Sequence, residues 1–201
     1  MADSTKICEQ LIAADINTSC EANSKRGLQS DGTIVNYNDI DFAKTKFSTT
    51  NKNIITDLIL KTGKKGYNVH QAGQTPFNGT QKAFKAGTNV NTWDKTVKLV
   101  VLDEGPEVTR DIIDPLANGK FVAILKNNSK GVEGSAEYEI FGYDQGLFMT
   151  EGTNDKWNED TAGGYDVTLV EASAPTSGRF LFDTDKETTD AKYESLKTAT
   201  A

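Results

Sequence analysis

Between Thr96 and Thr150 the spacing of apolar residues changes from every second position to every fourth and back, so this stretch reads as strand, helix and more strands. Val97, Leu99 and Val101 alternate as in a strand, which ends at the break Asp103-Glu104-Gly105-Pro106. Val108, Ile112 and Leu116 then share one helical face. Pro106 suits the first helical position and Asn118-Gly119 a stop. Pro115 lacks an N–H and clashes with the carbonyl of Asp111, which predicts a kink or an end near Asp114. From Lys120 to Lys126 apolar residues occupy both faces (Phe121, Ala123, Leu125 and Val122, Ile124), the pattern of a central strand covered on both sides.

The flanks extend this reading. Residues 1 to 31 are polar with one weak helical stretch around Ile7 to Ile16, an N-terminal arm, and residues 32 to 201 form a single β-rich domain. Strand character covers Thr33 to Phe42 and Asn53 to Leu60. Gly63-Lys64-Lys65-Gly66 is a turn leading into a strand at Tyr67 to His70. Gln71 to Asn91 is rich in Gly, Gln, Thr, Asn and Lys, so a long polar loop is expected within about residues 63 to 93.

Ser135 to Phe141 and Gly146 to Thr150 read as a β-hairpin turned by Gly142 to Gln145, with Glu137 and Glu139 on a wet face opposite Tyr138 and Ile140. A polar loop from Glu151 to Gly164 precedes a strand with Tyr165, Val167 and Leu169 aligned. After a short run at Arg179 to Phe182, Asp183 or Thr184 can cap a terminal helix, with Glu187 closing a capping box on Thr184. Ala191 and Leu196 make its weak apolar face, which predicts loose docking. The core candidates are Val97, Leu99, Val101, Ile112, Leu116, Phe121, Ala123, Leu125, Tyr138 and Ile140.

Composition narrows the function classes. The 201 residues, 36% hydrophobic and 25% charged, suit one folded domain, which buries roughly 70% of its unfolded surface. Twenty-two Lys and Arg against 29 Asp and Glu leave a net charge of −7, the wrong sign for gripping phosphate through a basic surface. The N-terminus lacks a basic start followed by an apolar segment. No apolar run approaches the roughly 20 residues that span a bilayer, so the expectation is a soluble protein made in the cytoplasm, without a membrane partner.

The chemistry-bearing residues have simpler structural readings. Cys8 and Cys20 are either a disulfide closing an N-terminal loop or, as is usual in a reducing compartment, two free thiols; zinc would need further ligands where the chain offers only His70. Phe180 to Asp185 looks like the apolar strand plus Asp-x-Asp of magnesium-dependent phosphotransferases, but it lies where no parallel strands can follow, and helix capping accounts for Asp183 and Asp185. Asn154 to Asp160 could offer oxygen ligands to calcium, though Lys156 and Trp157 interrupt it and a solvated loop is the simpler reading. Asn38-Asp39-Ile40-Asp41 is weaker again.

His70 has no nucleophile at motif spacing. Trp93 and Trp157 could stack on a sugar but fit core edges better. The sequons at Asn17, Asn78 and Asn127 carry no weight without a secretory signal. The chain therefore reads as neither an enzyme nor a cofactor or metal protein. Asp183, Asp185 and His70 are the only candidates for catalysis.

Asn36 to Phe42, Pro106-Glu107-Val108 through Gly119, Tyr138 to Leu147 and Phe182 to Asp185, in this order along the chain, resemble the tail tube proteins of tailed bacteriophages and the related tube proteins of contractile injection systems. The similarity is diffuse and covers most of the chain from about residue 30. It implies a mainly β fold with flanking α, a β-sandwich or incomplete β-barrel with one short central helix and a C-terminal helix.

It also implies a homo-oligomeric, hexameric ring that stacks into a tube, with other tail or connector proteins as partners, DNA as passing cargo and the virion tail as location. Gly63 to Trp93 and the arm would reach adjacent subunits, making Tyr67, His70, Phe77, Phe84, Trp93, Ile7 and Leu11 the contact candidates. Another virion component, such as a connector, baseplate or head-associated protein, and a carbohydrate-binding β-sandwich remain the alternatives.

Overall fold

The computed structural model describes residues 12–16 and 25–199. Its strands are β1 (Leu28–Asn36), β2 (Lys46–Phe47), β3 (Ile54–Asp57), β4 (Tyr67–His70), β5 (Gln81–Lys85), β6 (Thr92–Val101), β7 (Phe121–Asn127), β8 (Tyr138–Phe141), β9 (Phe148–Asn154), β10 (Tyr165–Ala174) and β11 (Arg179–Leu181). They form a seven-stranded sheet in the order β2-β3-β11-β8-β7-β1-β4 and a four-stranded sheet in the order β5-β6-β10-β9. Only the β3–β11 pairing is parallel among the described strand pairs. The fold is mainly β and sandwich-like, with a central helix and a C-terminal helix.

β7 sits between β1 and β8, and its two apolar faces serve two cores. Phe121, Ala123 and Leu125 meet Val97, Leu99, Val167 and Leu169 in the layer between the sheets. Val122 and Ile124 face the other way, into a layer with Val35, Ile55, Ile140, Leu181, Tyr193 and Leu196. Alternation along one strand thus feeds two apolar layers.

The central helix runs as Pro106–Val108, a π turn over Thr109–Ile113, and Asp114–Asn118. The N–H of Asp114 bonds to the carbonyl of Thr109, five residues back, so the irregularity falls immediately before Pro115, and the helix then continues to Asn118. The wide turn also shifts the helix face. Ile112, expected in the core, is 41% exposed, and Ile113 is buried in its place with Leu116. Val101 is only half-buried, where β6 runs out toward Asp103. The other core candidates are buried.

Several other expectations need correction. β1 begins at Leu28, inside the segment read as an arm, and stops at Asn36, where Tyr37–Asp39 forms a 3-10 turn. The polar stretch after Gln71 contains β5, which pairs with β6 from Gln81–Thr96 to Lys85–Thr92. All five β5 residues are exposed, so burial leaves no alternation in the sequence. β8 and β9 are not a hairpin: they belong to different sheets, and Gly142 to Leu147 crosses between them.

Glu137 and Glu139 are buried instead of wet. Glu139 faces the inter-sheet layer, where Lys82 of β5 reaches it, and Glu137 is paired with Lys186 at 3.0 Å and Lys130 at 3.4 Å. β9 extends to Asn154, shortening the polar loop that was expected from Glu151.

The C-terminal helix, Lys186–Ser195, is capped by Asp185, whose Oδ1 accepts the N–H of Thr188 at 2.8 Å. Its docking is firmer than its apolar pattern suggests. Tyr193 is fully buried, its hydroxyl accepts a hydrogen bond from Thr33 at 2.9 Å, and its ring lies against Tyr138 with centroids 4.5 Å apart. Ala191 is exposed; Thr189, Tyr193 and Leu196 make the contact face.

Candidate functional site

The sandwich leaves backbone edges open. Among the described residues, β4 closes one side of the larger sheet with its outer edge unpaired, and β5 does the same for the smaller one. Unpaired N–H and C=O groups along such an edge are a template for a strand from another chain. Tyr67 and His70 lie on β4, both exposed, and His70 Nδ1 sits 2.7 Å from Asp31 Oδ1 on the neighbouring β1.

Phe84, 55% exposed, stands on β5 directly opposite Trp93 of β6, and their rings meet edge to face at 5.5 Å. Lys85 and Asp94 flank this pair in a 2.7 Å ion pair, and hydrogen bonds from Lys85 and from the N–H of Ser173 hold the Asp94 carboxyl below the usual carboxylate range. Val90 is exposed between the two strands of this hairpin. An open cleft of about 1420 Å³ runs beside β4, between it, β6 and the central helix, with Tyr67, Val69, Lys98, Val100, Arg110 and Ile112 among its walls.

Four of the contact candidates, Tyr67, His70, Phe84 and Trp93, therefore lie on the edge strands or their hairpin. Phe77 does not. It is buried in the inter-sheet layer and so is corrected from a contact residue to a core residue; its backbone sits at φ 56°. Ile7 and Leu11, like Cys8 and Cys20, lie outside the described residues.

The residues considered for chemistry do not converge. Asp183 is paired with Lys192 at 2.8 Å and Asp185 caps the C-terminal helix, both beyond β11. His70 is on β4, four strands away in the sheet, roughly 19 Å at the usual inter-strand spacing. In the Asn154 to Asp160 loop, Asp155 Oδ1 accepts the N–H of Trp157 and Asn158 Oδ1 that of Asp160. No group of three or more His, Cys, Asp or Glu that could hold a metal occurs among the described residues. Trp157 is no core edge: it is 92% exposed.

A second constellation escaped the sequence reading. Lys95 of β6 and Glu171 of β10 are directly paired across the smaller sheet, and both face the inter-sheet layer. Lys95 is 1% exposed, Glu171 0%, and Lys95 Nζ lies 3.0 Å from Glu171 Oε2. The Glu171 carboxylate accepts the backbone N–H groups of Gly142 at 3.0 Å, Asp144 at 2.8 Å and Gln145 at 2.8 Å, clamping the crossover between the sheets.

Gly142 is required there. Its φ is +87°, and a Cβ would stand 2.5 Å from the carbonyl oxygen of Phe121. Asp144 Oδ1 in turn accepts Arg179 Nε at 2.8 Å and Nη2 at 2.5 Å, while the guanidinium stacks over Phe47 and Tyr143. Two positive and two negative groups balance within this buried cluster. The signal was present in the chain: Lys95 sits in phase with Val97 and Leu99, and Glu171 in phase with Val167 and Leu169, so both charges occupy the inward positions of their strands.

No protein-family model, curated protein or solved structure matches this chain. No described helix is long and apolar enough to cross a membrane.

Proposed function

We propose that this chain is a structural subunit that assembles with copies of itself, of the kind that builds the tail tube of a bacteriophage. The observation that carries the reading is the pair of open, exposed edge strands, β4 and β5, with Tyr67 and Phe84 on them and Val90 at the hairpin tip. Edge strands flanked by exposed aromatic side chains favour strand addition between subunits. Head-to-tail contacts between identical subunits close into rings when the rotation allows.

The diffuse likeness to tube proteins points the same way. The net charge of −7 suits a channel whose wall does not retain a passing phosphate backbone. In this reading the protein resides in the virion tail, meets other tail or connector proteins at the ends of the tube, and touches DNA only as cargo.

Negative-stain microscopy and light scattering of the purified chain are expected to show rings or tubes of constant width, and Phe84→Lys is expected to shift the population toward monomer. A wild-type chain that stays monomeric at every concentration and is missing from particles would sink the proposal. The 92% exposure of Trp157 favours a carbohydrate-binding module as the second reading. Glycan-array binding that disappears in Trp157→Ala would select it, and a silent array removes it.

A further inference from the structure

At the charged end of the inter-sheet layer two buried atoms without a well-formed hydrogen bond face each other: Lys95 Nζ, ion-paired with Glu171 at 3.0 Å, and Asp144 Oδ2, 3.6 Å from it. A buried ammonium beside a buried carboxylate oxygen that accepts no hydrogen bond is an arrangement that folded proteins rarely leave in place. We propose that Lys95 and Asp144 are joined by an intramolecular isopeptide bond, formed by the folded chain itself with Glu171 as the proton relay.

The three participants are positioned by the fold. Lys95 and Glu171 are fixed opposite each other in the β6–β10 ladder, and Asp144 is held over them because Glu171 clamps the N–H groups of Gly142, Asp144 and Gln145. Holding nucleophile and carboxyl group together in a site closed to water replaces a slow encounter with an intramolecular one.

In the step, a proton passes from the Lys95 ammonium through Glu171 to Asp144 Oδ2, leaving a neutral amine and a carboxylic acid. The amine lone pair attacks Asp144 Cγ, and negative charge collects on Oδ1, where the Arg179 guanidinium already donates two hydrogen bonds. Glu171 then removes a proton from the bonded nitrogen and delivers it to Oδ2, which departs as water as the Cγ–Oδ1 double bond re-forms. The sum is one ammonium and one carboxylate going to one amide and one water, with Glu171 returned to its starting state and no oxidant or cofactor consumed.

The product resolves both orphan atoms. Oδ2 is the oxygen that leaves, and the nitrogen becomes an amide N–H beside Glu171 Oε2, 3.0 Å away in the present geometry. The new bond ties β6 of the smaller sheet to the crossover leaving β8 of the larger one, a covalent brace between the sheets that is independent of whether subunits assemble.

Mass spectrometry of the intact, denatured full-length chain tests this directly. The wild-type chain is expected to be lighter than its amino-acid sequence by one water, and Lys95→Met and Glu171→Gln are each expected at full sequence mass. Tryptic digestion should give a branched peptide that joins the Lys95 and Asp144 segments, uncut after Lys95. A wild-type chain at full mass means an unreacted buried ion cluster and overturns the proposal, as does a lost water that maps to another pair of residues. The wild-type result stands even if a variant fails to fold. A Glu171→Gln chain that still loses water overturns the relay role of Glu171.

Discussion

The two ends of the inter-sheet layer are built on opposite physical principles. At one end Val97, Leu99, Ala123, Leu125, Val167 and Leu169 pack through non-directional burial. At the other, the same two strands of the smaller sheet turn Lys95 and Glu171 inward, against Asp144 and Arg179. The apolar end holds the sheets together. The charged end instead fixes the path of one short crossover, because hydrogen bonds from the N–H groups of Gly142, Asp144 and Gln145 have direction and burial does not.

Removing Glu171 strikes this contrast hardest. Glu171→Ala leaves the buried Lys95 only the longer 3.6 Å contact to Asp144 and frees three backbone donors, so a loss of about 4 kcal/mol is expected in urea unfolding, with Gly142 to Leu147 losing hydrogen-exchange protection first. Equal protection loss along β7 would break the distinction between the two ends.

Leu169→Ala at the apolar end comes next, at about 3 kcal/mol with the crossover's protection unchanged relative to the rest of the sheet. A selective opening at Gly142 to Leu147 in this variant would again contradict the comparison.

The C-terminal helix on the far face of the larger sheet gives the smallest effect and a pH signature. Asp183 lies below the ordinary carboxylate range because of hydrogen bonds from Lys192 and from the N–H of Thr184. For Asp190, burial pushes upward, but hydrogen bonds from Lys186 and Tyr138 outweigh it and the net direction is down.

Depressed carboxyl groups add stability that is present above their unfolded values, about 4, and is lost as pH falls through the lower folded values. Acidification should therefore release this helix, seen as early hydrogen exchange over Lys186–Ser195. Tyr193 titrates in the opposite sense: burial pushes its hydroxyl up to about 12, so its contribution is complete below the ordinary tyrosine value near 10 and is lost as pH rises through about 12. Tyr193→Phe removes the bond from Thr33, at about 1 kcal/mol, and should reduce the alkaline loss in a pH series of thermal unfolding curves, the remainder coming from Tyr138, Tyr143 and Tyr37, whose hydroxyls burial also raises.

Much of the scaffold was legible in the chain. The alternation at Val97, Leu99, Val167 and Leu169, the two-faced run at Phe121 to Leu125 and the stop at Gly119 depend on local periodicity and turn chemistry, and these survive folding unchanged. What misled were positions whose environment is set by distant segments. Ser135 to Phe141 and Gly146 to Thr150 read as a hairpin because the turn between them is short, yet Gly142 to Leu147 sends β9 into the other sheet. Glu137 and Glu139 read as wet because the lysines that cover them, Lys82, Lys130 and Lys186, come from elsewhere in the chain. β5 left no trace in the pattern because all five of its residues are exposed, and it is held by backbone pairing with β6 and by contacts to distant residues such as Lys82 to Glu139.

The candidate assembly surface was legible only in part. Tyr67, Phe84 and Trp93 were contact candidates because they lie in the Gly63 to Trp93 stretch that the resemblance sends to adjacent subunits, but the same reasoning placed Phe77 outside when it fills the core.

By itself the sequence determined the strand-rich composition, the central helix with its flaw at Pro115, and which strands carry apolar faces, since each follows from neighbours within a few positions. Tertiary structure alone decided which sheet each strand joins, which edges stay open and that Lys95, Asp144, Glu171 and Arg179 meet. Those outcomes depend on contacts between residues far apart in the chain, 76 positions for Lys95 and Glu171 and 126 for Ile54 and Phe180, and no local period records them.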